Sequence, residues 1–447
     1  MSSNAPHILL VNPWIHDFAA YDFWAKPLGL LLLGGLLRKQ GAHISYLDCL
    51  DRFHPLSESA PQPSSRCGRG PYHKTILPKP QGLASIPRNY CRYGIPPEWF
   101  ASDLKRLKKP DAVLVTSLMT YWYPGVRETI ETIKSVLPNV HVILGGIYAT
   151  LCTDHAKRTC GADEVLPGPG EEALFSLLSK RIGWSSEPKA DDRELDSLPY
   201  PVFDLEHHLA HVPVLTSLGC PFKCAYCASH RLQPRMRRRN PFRVAEEIRY
   251  WHERFKVTDF AFYDDALLVD SGRLAVPLLE ELCKLKLKVR FHTPNALHIR
   301  EITPSLARLM RRAGFYTIRL GLETTAFGSR SAMDCKVTEG EFLRSVEHLF
   351  NAGFDPKQLG AYLLAGLPHQ EAWEVENSIR VVKQAGITPI IAHYTPIPHT
   401  PMWDDAVATS RYDLEADPIF ANNAIFPCRS EAFSWEVLTR LKRLIKA

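Results

Sequence analysis

Three cysteines lie close together near the middle of the chain. Cys220, Cys224 and Cys227 follow a C-x3-C-x2-C spacing in one short stretch. Thiolates are soft ligands, and several of them in one loop suit either zinc or an iron–sulfur cluster. A structural zinc site normally needs a fourth ligand, whereas three ligands on a four-iron cluster leave one iron open to a substrate or cofactor. The spacing therefore predicts a metal centre, with three unrelated buried thiols as the alternative.

The cysteine loop follows an apolar run, residues 212–218, which predicts a buried strand. After the loop, a strand-then-helix unit repeats along the chain. The further predicted strands are residues 259–263, 289–292, 317–320, 360–365 and 390–394. Apolar residues recur at helical spacing between these strands, for example at Leu306, Met310 and Ala313. Such alternation predicts a parallel α/β barrel that begins at the cysteine loop.

Function in a parallel barrel gathers where the strands end, so polar residues at those positions are candidates for the site. The candidates at the predicted strand ends are Asp264, Asp265, Asn295, Glu323 and Gly366. We expect them to surround the cysteine loop. A helix cap or a structural ion pair is the alternative for any one of them.

The N-terminal third repeats the same alternation of strands and helices. The predicted strands are residues 7–11, 44–47, 111–117, 141–144 and 164–166, and the first helix is predicted from Leu28 to Lys39. This order predicts a doubly wound, Rossmann-like parallel sheet that binds its ligand beyond the strand ends. Ser117 and the pair Gly145 and Gly146 end two of these strands. Glycines at such an edge leave room for a ligand.

The cysteine motif, with Tyr226 just before its last cysteine, resembles that of the radical S-adenosylmethionine (radical SAM) enzymes. The resemblance implies a partial (β/α)6 barrel in which the three cysteines hold a 4Fe–4S cluster. In that family the open iron chelates SAM, and reductive cleavage gives methionine and a 5′-deoxyadenosyl radical. The positions carried over to SAM binding are Tyr226, Asp264, Asp265, Asn295, Glu323 and Gly366.

The N-terminal third resembles the cobalamin-binding domain of the B12-dependent branch of that superfamily. The shared features are Pro27–Leu30 opening the first helix and the strand ends Ser117, Gly145 and Gly146, which in that branch line the cobalamin tail. The D-x-H-x-x-G signature that gives cobalt an axial histidine is absent, because His16 and Asp17 lie in the right loop but out of frame. The resemblance implies cobalamin without a histidine ligand. A retained sheet that binds nothing is the alternative.

These patterns predict an α/β chain of four parts. The parts are a B12-binding-type domain at residues 1–182, a linker at 183–201, the barrel at 202–399 and a C-terminal extension at 400–447. Within the first part, the long connection of residues 51–109 predicts either a lid over the cofactor or substrate face or a packed surface excursion.

The composition bears on cellular location, membrane insertion and nucleic-acid binding. The eleven cysteines and the lack of a signal-peptide pattern favour the cytoplasm, and no apolar run is long enough to cross a bilayer. A net charge of +6 over 447 residues does not indicate nucleic-acid binding. The basic run Arg235–Arg239 is either a solvated face or a group that neutralises the cluster, the SAM carboxylate or an acidic substrate.

The combined expectation is a B12-dependent radical SAM methyltransferase acting on an unreactive carbon of a small-molecule or peptide substrate. The family likeness also implies a flavodoxin- or ferredoxin-like electron donor. Two alternatives remain: a cobalamin-binding radical SAM cyclase, rearrangement or oxidation enzyme, and a non-catalytic corrinoid or iron–sulfur sensor.

Overall fold

A computed structural model describes residues 5–57, 66–184, 195–328, 333–334 and 336–446. The chain divides into two compact units. One comprises Met1–Ala210 with Ala416–Ile425, and the other comprises His211–Glu415 with Phe426–Ala447. Cys335, most of the predicted linker and part of the connection 51–109 lie outside the described residues.

The first unit alternates strands with helices. Its strands are β1 (His7–Asn12), β2 (Ile15–Asp17), β3 (His43–Asp48), β4 (Lys74–Leu77), β5 (Tyr90–Tyr93), β6 (Ala112–Val115), β7 (His141–Leu144) and β8 (Glu164–Val165). Its helices are α1 (Leu28–Lys39), α2 (Pro97–Arg106), α3 (Tyr123–Val136), α4 (Ile147–Leu151), α5 (Thr153–Thr159) and α6 (Glu171–Ile182).

Five of these strands form a parallel sheet in the order β3-β1-β6-β7-β8. The predicted doubly wound sheet is therefore confirmed. The first of its strands, HILLVN, is buried at every position, as expected for a central strand covered on both faces. The order reverses between β1 and β6, and a ligand of such a sheet binds beyond the strand ends at that switch point.

The long connection after β3 is ordered where the structure describes it. Strands β4 and β5 join β2 in an antiparallel three-stranded sheet. Helix α2, which sequence reasoning missed, is the crossover that two parallel strands require, and it buries Phe100 and Leu104. The described part of this connection packs into a sheet and a helix, and the choice between a lid and a packed surface excursion stays a prediction.

A short segment near the C-terminus belongs to the first unit. The Asn422 amide donates to the Asp17 carboxylate at 2.9 Å, and the Tyr123 hydroxyl donates to Asp417 at 2.8 Å. These contacts explain why residues 416–425 separate from the rest of the predicted C-terminal extension.

The second unit has its own strands and helices. The strands are β9 (Val212–Val214), β10 (Ser217–Leu218), β11 (Arg237–Arg238), β12 (Asp259–Phe262), β13 (Arg290–His292), β14 (Phe315–Glu323), β15 (Leu359–Ala365) and β16 (Thr388–His393). The helices are α7 (Ser229–Leu232), α8 (Pro241–Phe255), α9 (Ala275–Leu285), α10 (Pro304–Ala313), α11 (Glu339–Asn351), α12 (Ala372–Gln384), α13 (Trp403–Thr409) and α14 (Trp435–Lys446).

Six of these strands pair in parallel in the order β16-β15-β14-β13-β12-β9, which confirms the partial (β/α)6 barrel. Phe262, Phe291 and Phe315 pack on one another in its interior, with ring centroids 5.4–5.7 Å apart. Helix α14 packs alongside the edge strand β16 and is tied to α12 by the Lys383 ammonium, which donates to the Leu444 carbonyl at 2.9 Å. None of the described helices has the length and apolarity to cross a membrane.

The predicted strand at residues 212–218 is broken. Only β9 pairs within the barrel, whereas β10 pairs antiparallel with β11. Between them, Thr216 turns toward the Asp264 carboxylate, which accepts from its hydroxyl at 2.6 Å. The cysteine loop is therefore mounted on a small hairpin rather than directly on a barrel strand.

Candidate active site

The three cysteines of the motif line one cavity in the second unit. The cavity has a volume of about 200 Å³, several times the volume of roughly 30 Å³ that one water occupies. The side chains around it that carry the following argument are those of Phe222, Asp265, Asn295, His298, Glu323 and Lys336. The structure thus brings the cysteines together with three of the predicted strand-end residues.

Backbone contacts fix the cysteine loop. The Cys227 N–H donates to the Cys224 carbonyl at 3.1 Å, and the Ser229 N–H points at the Cys227 sulfur from 3.4 Å. At Gly219 the backbone has φ +83°, and a Cβ there would lie 2.9 Å from the Arg235 carbonyl oxygen. A side chain at Gly219 would therefore displace the loop.

Asp264 holds the segment that leads into this loop. Its carboxylate accepts from the Thr216 N–H at 3.1 Å, the Thr216 hydroxyl at 2.6 Å and the Ser217 hydroxyl at 2.7 Å. Burial raises the pKa of Asp264, and these donors oppose that rise. Asp264 is not among the cavity-lining residues, so within the predicted pair Asp265 is the one placed at the cavity.

Replacing Asp264 by asparagine should lower the free energy of unfolding by roughly 2–3 kcal/mol, because the amide puts N–H groups among donors and removes a charged acceptor. The same exchange at Asp265, whose carboxylate accepts from the Ser229 hydroxyl at 3.0 Å, serves as the control and should cost less. Urea unfolding of both variants checks the expectation. Equal losses would contradict the assignment of Asp264 to the loop.

Asp265 and Asn295, two of the predicted residues at the cavity, each make one described side-chain hydrogen bond. Asp265 is bound by Ser229, and burial raises the pKa of its carboxyl while Ser229 and Lys336 oppose the rise. The exposed Asn295 donates to the Tyr263 carbonyl at 2.7 Å. A carboxylate and an amide at adjacent strand ends can bind a cationic, hydroxyl-bearing ligand.

Glu323 occupies a strained position at the end of β14. Its φ is +63°, in the left-handed region that a residue with a Cβ rarely adopts, and the pairing of β14 with β15 shifts register there. Backbone strain of this kind costs about 1–3 kcal/mol and clusters at functional sites. The strand end thus places a buried carboxylate at the cavity.

Lys336, which sequence reasoning missed, brings a buried cation to this carboxylate. Its ammonium lies 3.9 Å from a Glu323 oxygen and donates to the Tyr226 hydroxyl at 3.0 Å. Burial lowers the pKa of Lys336, but the charges of Glu323 and Cys224 outweigh burial and raise it overall. The predicted residue Tyr226 thus reaches the cavity through Lys336. The sequence around Lys336 has no strand or helix pattern, so it gave no reason to expect Lys336 at the site.

His298 is a second missed residue. Its ring stacks on Phe222, inside the cysteine motif, with centroids 4.6 Å apart and planes inclined by 19°. The side chain is 7% exposed, and its Nδ1 is buried without a hydrogen-bond partner among the residues that the structure describes. A buried ring nitrogen without a partner costs free energy, so it fits a ligand that supplies the missing hydrogen bond.

Burial, with a smaller effect from Lys336, lowers the pKa of His298 to about 4. An unfolded chain protonates histidine near pH 6.5, so between those pH values the unfolded state binds more protons than the folded state. The stability of the cluster-free protein should therefore fall as the pH drops from about 6.5 to about 4, by up to about 3 kcal/mol. The difference in urea stability between wild type and His298→Gln across this range measures the effect. Parallel curves would show that the imidazole is not held neutral.

Gly366, the remaining predicted SAM residue, lies at the end of β15 and is not among the cavity-lining residues. Its φ is +88°, and a Cβ there would lie 2.8 Å from the Phe426 ring. The close approach of Phe426 is thus a packing reason for glycine at this position. Its contact with SAM stays a prediction.

In the first unit the three predicted cobalamin residues meet. The buried Ser117 hydroxyl donates to the Gly145 carbonyl at 2.6 Å, and at Gly146 (φ +95°) a Cβ would lie 2.3 Å from the Ser117 carbonyl oxygen. At Gly145 the Cβ direction is open, with only the Leu166 carbonyl oxygen within 4 Å, at 3.8 Å. The strand ends therefore form a cradle that side chains do not fill.

His16 and Asp17 are committed to structure. His16 Nε2 lies 2.6 Å from a Glu128 carboxylate oxygen, and Asp17 accepts from the Trp122 indole at 2.6 Å and from Asn422. Both belong to β2, which pairs with β5. Both side chains therefore have partners within the first unit, and the lack of a histidine ligand to cobalt stays a prediction.

Comparison with known families covers both units. A model described as the B12 binding domain matches residues 89–178, and one described as the radical SAM superfamily matches residues 214–382. The chain belongs to the radical SAM superfamily, in its cobalamin-binding branch. Its cofactors are a 4Fe–4S cluster, SAM and cobalamin. The first match contains Ser117, Gly145 and Gly146, and the second contains the cysteines.

Related proteins and structures carry several activities. The chain is 25% identical over 343 residues to an uncharacterized methyltransferase of Pyrococcus horikoshii, covering 70% of this chain and 73% of that protein. It is 22% identical over 332 residues to the anaerobic magnesium-protoporphyrin IX monomethyl ester cyclase of Rubrivivax gelatinosus, covering 66% of this chain but only 58% of the cyclase. The radical SAM methyltransferase TsrM of Kitasatospora setae, solved with cobalamin and a 4Fe–4S cluster, superposes with a TM-score of 0.70 at 16% identity, over 99% of this chain and 91% of TsrM. That likeness shows a shared fold.

The residues of each site fit the group assigned to it. Three thiols converge on one cavity that also contains carboxylates, a cation and the unpartnered Nδ1 of His298, which suits a cluster together with a zwitterionic ligand. The open Gly145 cradle lies at the sheet edge where a doubly wound fold binds its ligand.

Proposed function

We propose that this protein is a cobalamin-dependent radical SAM methyltransferase. The observation that carries the proposal is the convergence of Cys220, Cys224 and Cys227 with Glu323 and Lys336 on one cavity, in a chain that also contains a B12-binding unit. Methyltransferases are present among the relatives matched over most of this chain, which supports methyl transfer over other uses of the radical.

Within this proposal the cavity side chains divide the parts of SAM among them. Asp265 and Glu323 are acidic groups suited to the ammonium or the ribose hydroxyls, and the Lys336 cation suits the carboxylate. The neutral His298 ring offers a nitrogen to a hydroxyl or to adenine. In each case the ligand would provide a hydrogen-bond partner that the protein group lacks, which favours binding.

The cofactors supply the difficult chemistry. When bound, the cluster held by Cys220, Cys224 and Cys227 would supply the electron for SAM cleavage, and cobalamin would supply the methyl-carrier chemistry. The substrate would be a small molecule or peptide with an unreactive carbon, and the electron would come from a flavodoxin- or ferredoxin-like protein. Cytoplasmic location is part of the proposal, because the cluster thiols have to stay reduced.

A test of methyl transfer does not need the substrate. The anaerobically purified protein, loaded with iron, sulfide and cobalamin, is given titanium(III) citrate and SAM with a deuterated methyl group. We expect the deuterated methyl group on the corrinoid by mass spectrometry. Deoxyadenosine without any label on the corrinoid would favour the alternative of a cyclase or oxidation enzyme, which the cyclase relatives keep open. Failure to consume SAM at all would favour the sensor.

A further inference from the structure

Positive charge is concentrated around the cysteine loop. Residues 207–245 contain seven lysines and arginines and no aspartate or glutamate, whereas the whole chain has a net charge of +6. The rest of the chain is therefore close to balanced. The stretch without acids begins before β9 and ends within α8, with the three cysteines near its middle.

The structure separates these cations into two groups. Arg239, whose side chain is half-buried, forms an ion pair with Glu247 at 2.6 Å, Arg238 lies 3.5 Å from Asp270, and Arg243 lies 3.6 Å from Glu246. Lys223, Arg231 and Arg235 are exposed, and no carboxylate in the described ranges pairs with them. Three of the arginines thus have carboxylate partners, while Lys223, Arg231 and Arg235, the three outer cations, leave uncompensated charge at the surface.

The outer cations adjoin the loop that holds the cluster ligands. Lys223 lies between Cys220 and Cys224, and Arg231 lies on α7, which starts two residues after Cys227. The Arg235 backbone touches Gly219, since a Cβ on that glycine would approach the Arg235 carbonyl to 2.9 Å. In the next residues, β11 runs beside β10, with Arg237 opposite Leu218.

The ligands lie in the same short loop as the outer cations. Cys220 and Cys227 are partly exposed, Cys224 is buried, and all three line the cavity. Because Lys223 is the residue before Cys224, a cluster held by these thiols would have a short path to the outer cations. Electron transfer between proteins requires such a path, because its rate falls steeply with the distance between the redox centres.

We propose that Lys223, Arg231 and Arg235 form a docking surface, here called the cationic face, for an acidic protein that carries one electron to the cluster. The inference rests on the proposed function, in which the cluster has to be reduced before SAM is cleaved. The carrier, a reduced flavin or iron–sulfur protein, loses one electron and the cluster gains it, and no covalent bond changes in this step. Opposite charges steer such an encounter and set its orientation.

A pair of charge-reversed variants tests the cationic face in the full-length protein. The first carries Lys223→Glu, Arg231→Glu and Arg235→Glu. The matched control carries Lys288→Glu, Arg308→Glu and Lys357→Glu, which change the net charge equally at exposed positions. Lys288 and Lys357 precede the strands β13 and β15, so they lie at the opposite end of the barrel from the cysteine loop. The probe is a bacterial flavodoxin kept reduced by its NADPH-dependent reductase.

Two readouts separate docking from the proposed chemistry. Stopped-flow loss of iron–sulfur absorbance gives the rate of cluster reduction, and titration with oxidised flavodoxin gives the binding affinity even without SAM turnover. In the cationic-face variant we expect both to fall at least about tenfold at low ionic strength, with the difference shrinking as salt screens the charges. Reduction by titanium(III) citrate should stay unchanged, which shows an intact cluster.

The remaining outcomes overturn the proposal. If the control variant slows reduction as much as the cationic-face variant, only overall charge matters. If neither variant alters flavodoxin binding, the carrier docks elsewhere. If the cationic-face variant instead loses affinity for a structured RNA while flavodoxin binding is unchanged, the face binds nucleic acid. Normal reduction of the cluster with no SAM cleavage would refute the proposed function and leave the docking result standing.

Discussion

Replacing Cys220, Cys224 and Cys227 together by alanine should abolish the iron–sulfur absorbance and SAM cleavage. The three sulfurs line one cavity, and within the motif they are the soft ligands that a 4Fe–4S cluster requires. Loss even of groups that only support metal ligands typically costs 10- to 100-fold in metal affinity or activity, so loss of the ligands should exceed about a hundredfold. Iron and sulfide analysis after anaerobic reconstitution measures the change.

A matched control distinguishes this effect from general loss of thiols. Cys283 on α9 is also partly exposed but is not among the cavity-lining residues, so Cys283→Ala should keep the full cluster. Cobalamin binding should persist in the triple variant, because the predicted cradle belongs to the first unit. A triple variant that still shows a complete 4Fe–4S spectrum would refute the assignment of the motif.

The regular parts of the fold were predictable because each carries a repeated local signal. Apolar runs ending at Asn12 or Gly145 read as buried strands, and α1 occupies the predicted range from Leu28 to Lys39. Parallel strands in sequence order also have few ways to pair, so alternation was enough to predict both sheets. The cysteine spacing is local as well, and therefore visible.

Long-range contacts explain what the sequence did not reveal. The break after Val214 depends on the Asp264 carboxylate, which lies 48 residues beyond Thr216. Lys336 reaches the site only because Tyr226 and Glu323 come together in space. His298 follows the end of β13 without any pattern of its own. Such residues are positioned by tertiary packing, which no periodicity of the chain encodes.

The placement of residues 416–425 shows the same limit. Asp17 gathers donors from Trp122 and Asn422, which are separated by hundreds of residues in the sequence. A carboxylate this buried needs such donors, and burial raises its pKa despite them. Only the folded structure shows that a segment near the C-terminus supplies one of them.

Gly145→Leu should strongly weaken cobalamin binding while leaving the fold and the iron–sulfur cluster intact. The two neighbouring glycines have different physical reasons to be glycine. At Gly146 the backbone is left-handed, and a Cβ would lie 2.3 Å from the Ser117 carbonyl oxygen. The fold itself therefore requires glycine at this position. A side chain at Gly145 would enter open space, so the fold does not require glycine there. A ligand that fills this space would require it. A leucine there should change stability by no more than about 0.5 kcal/mol, as surface substitutions usually do.

The corrinoid content per chain, measured after reconstitution and gel filtration, checks this expectation. We expect at least about a tenfold lower affinity for cobalamin, because a well-packed side chain in the cradle excludes a ligand whose binding depends on close approach to the sheet edge. Gly272→Leu, in open space in the second unit, is the matched control and should bind cobalamin normally. Normal cobalamin content in the Gly145→Leu protein would show that the cofactor does not pass over this strand end. Together with the cysteine variant, the substitution tests whether each cofactor can be removed without the other, as expected for sites in two different units.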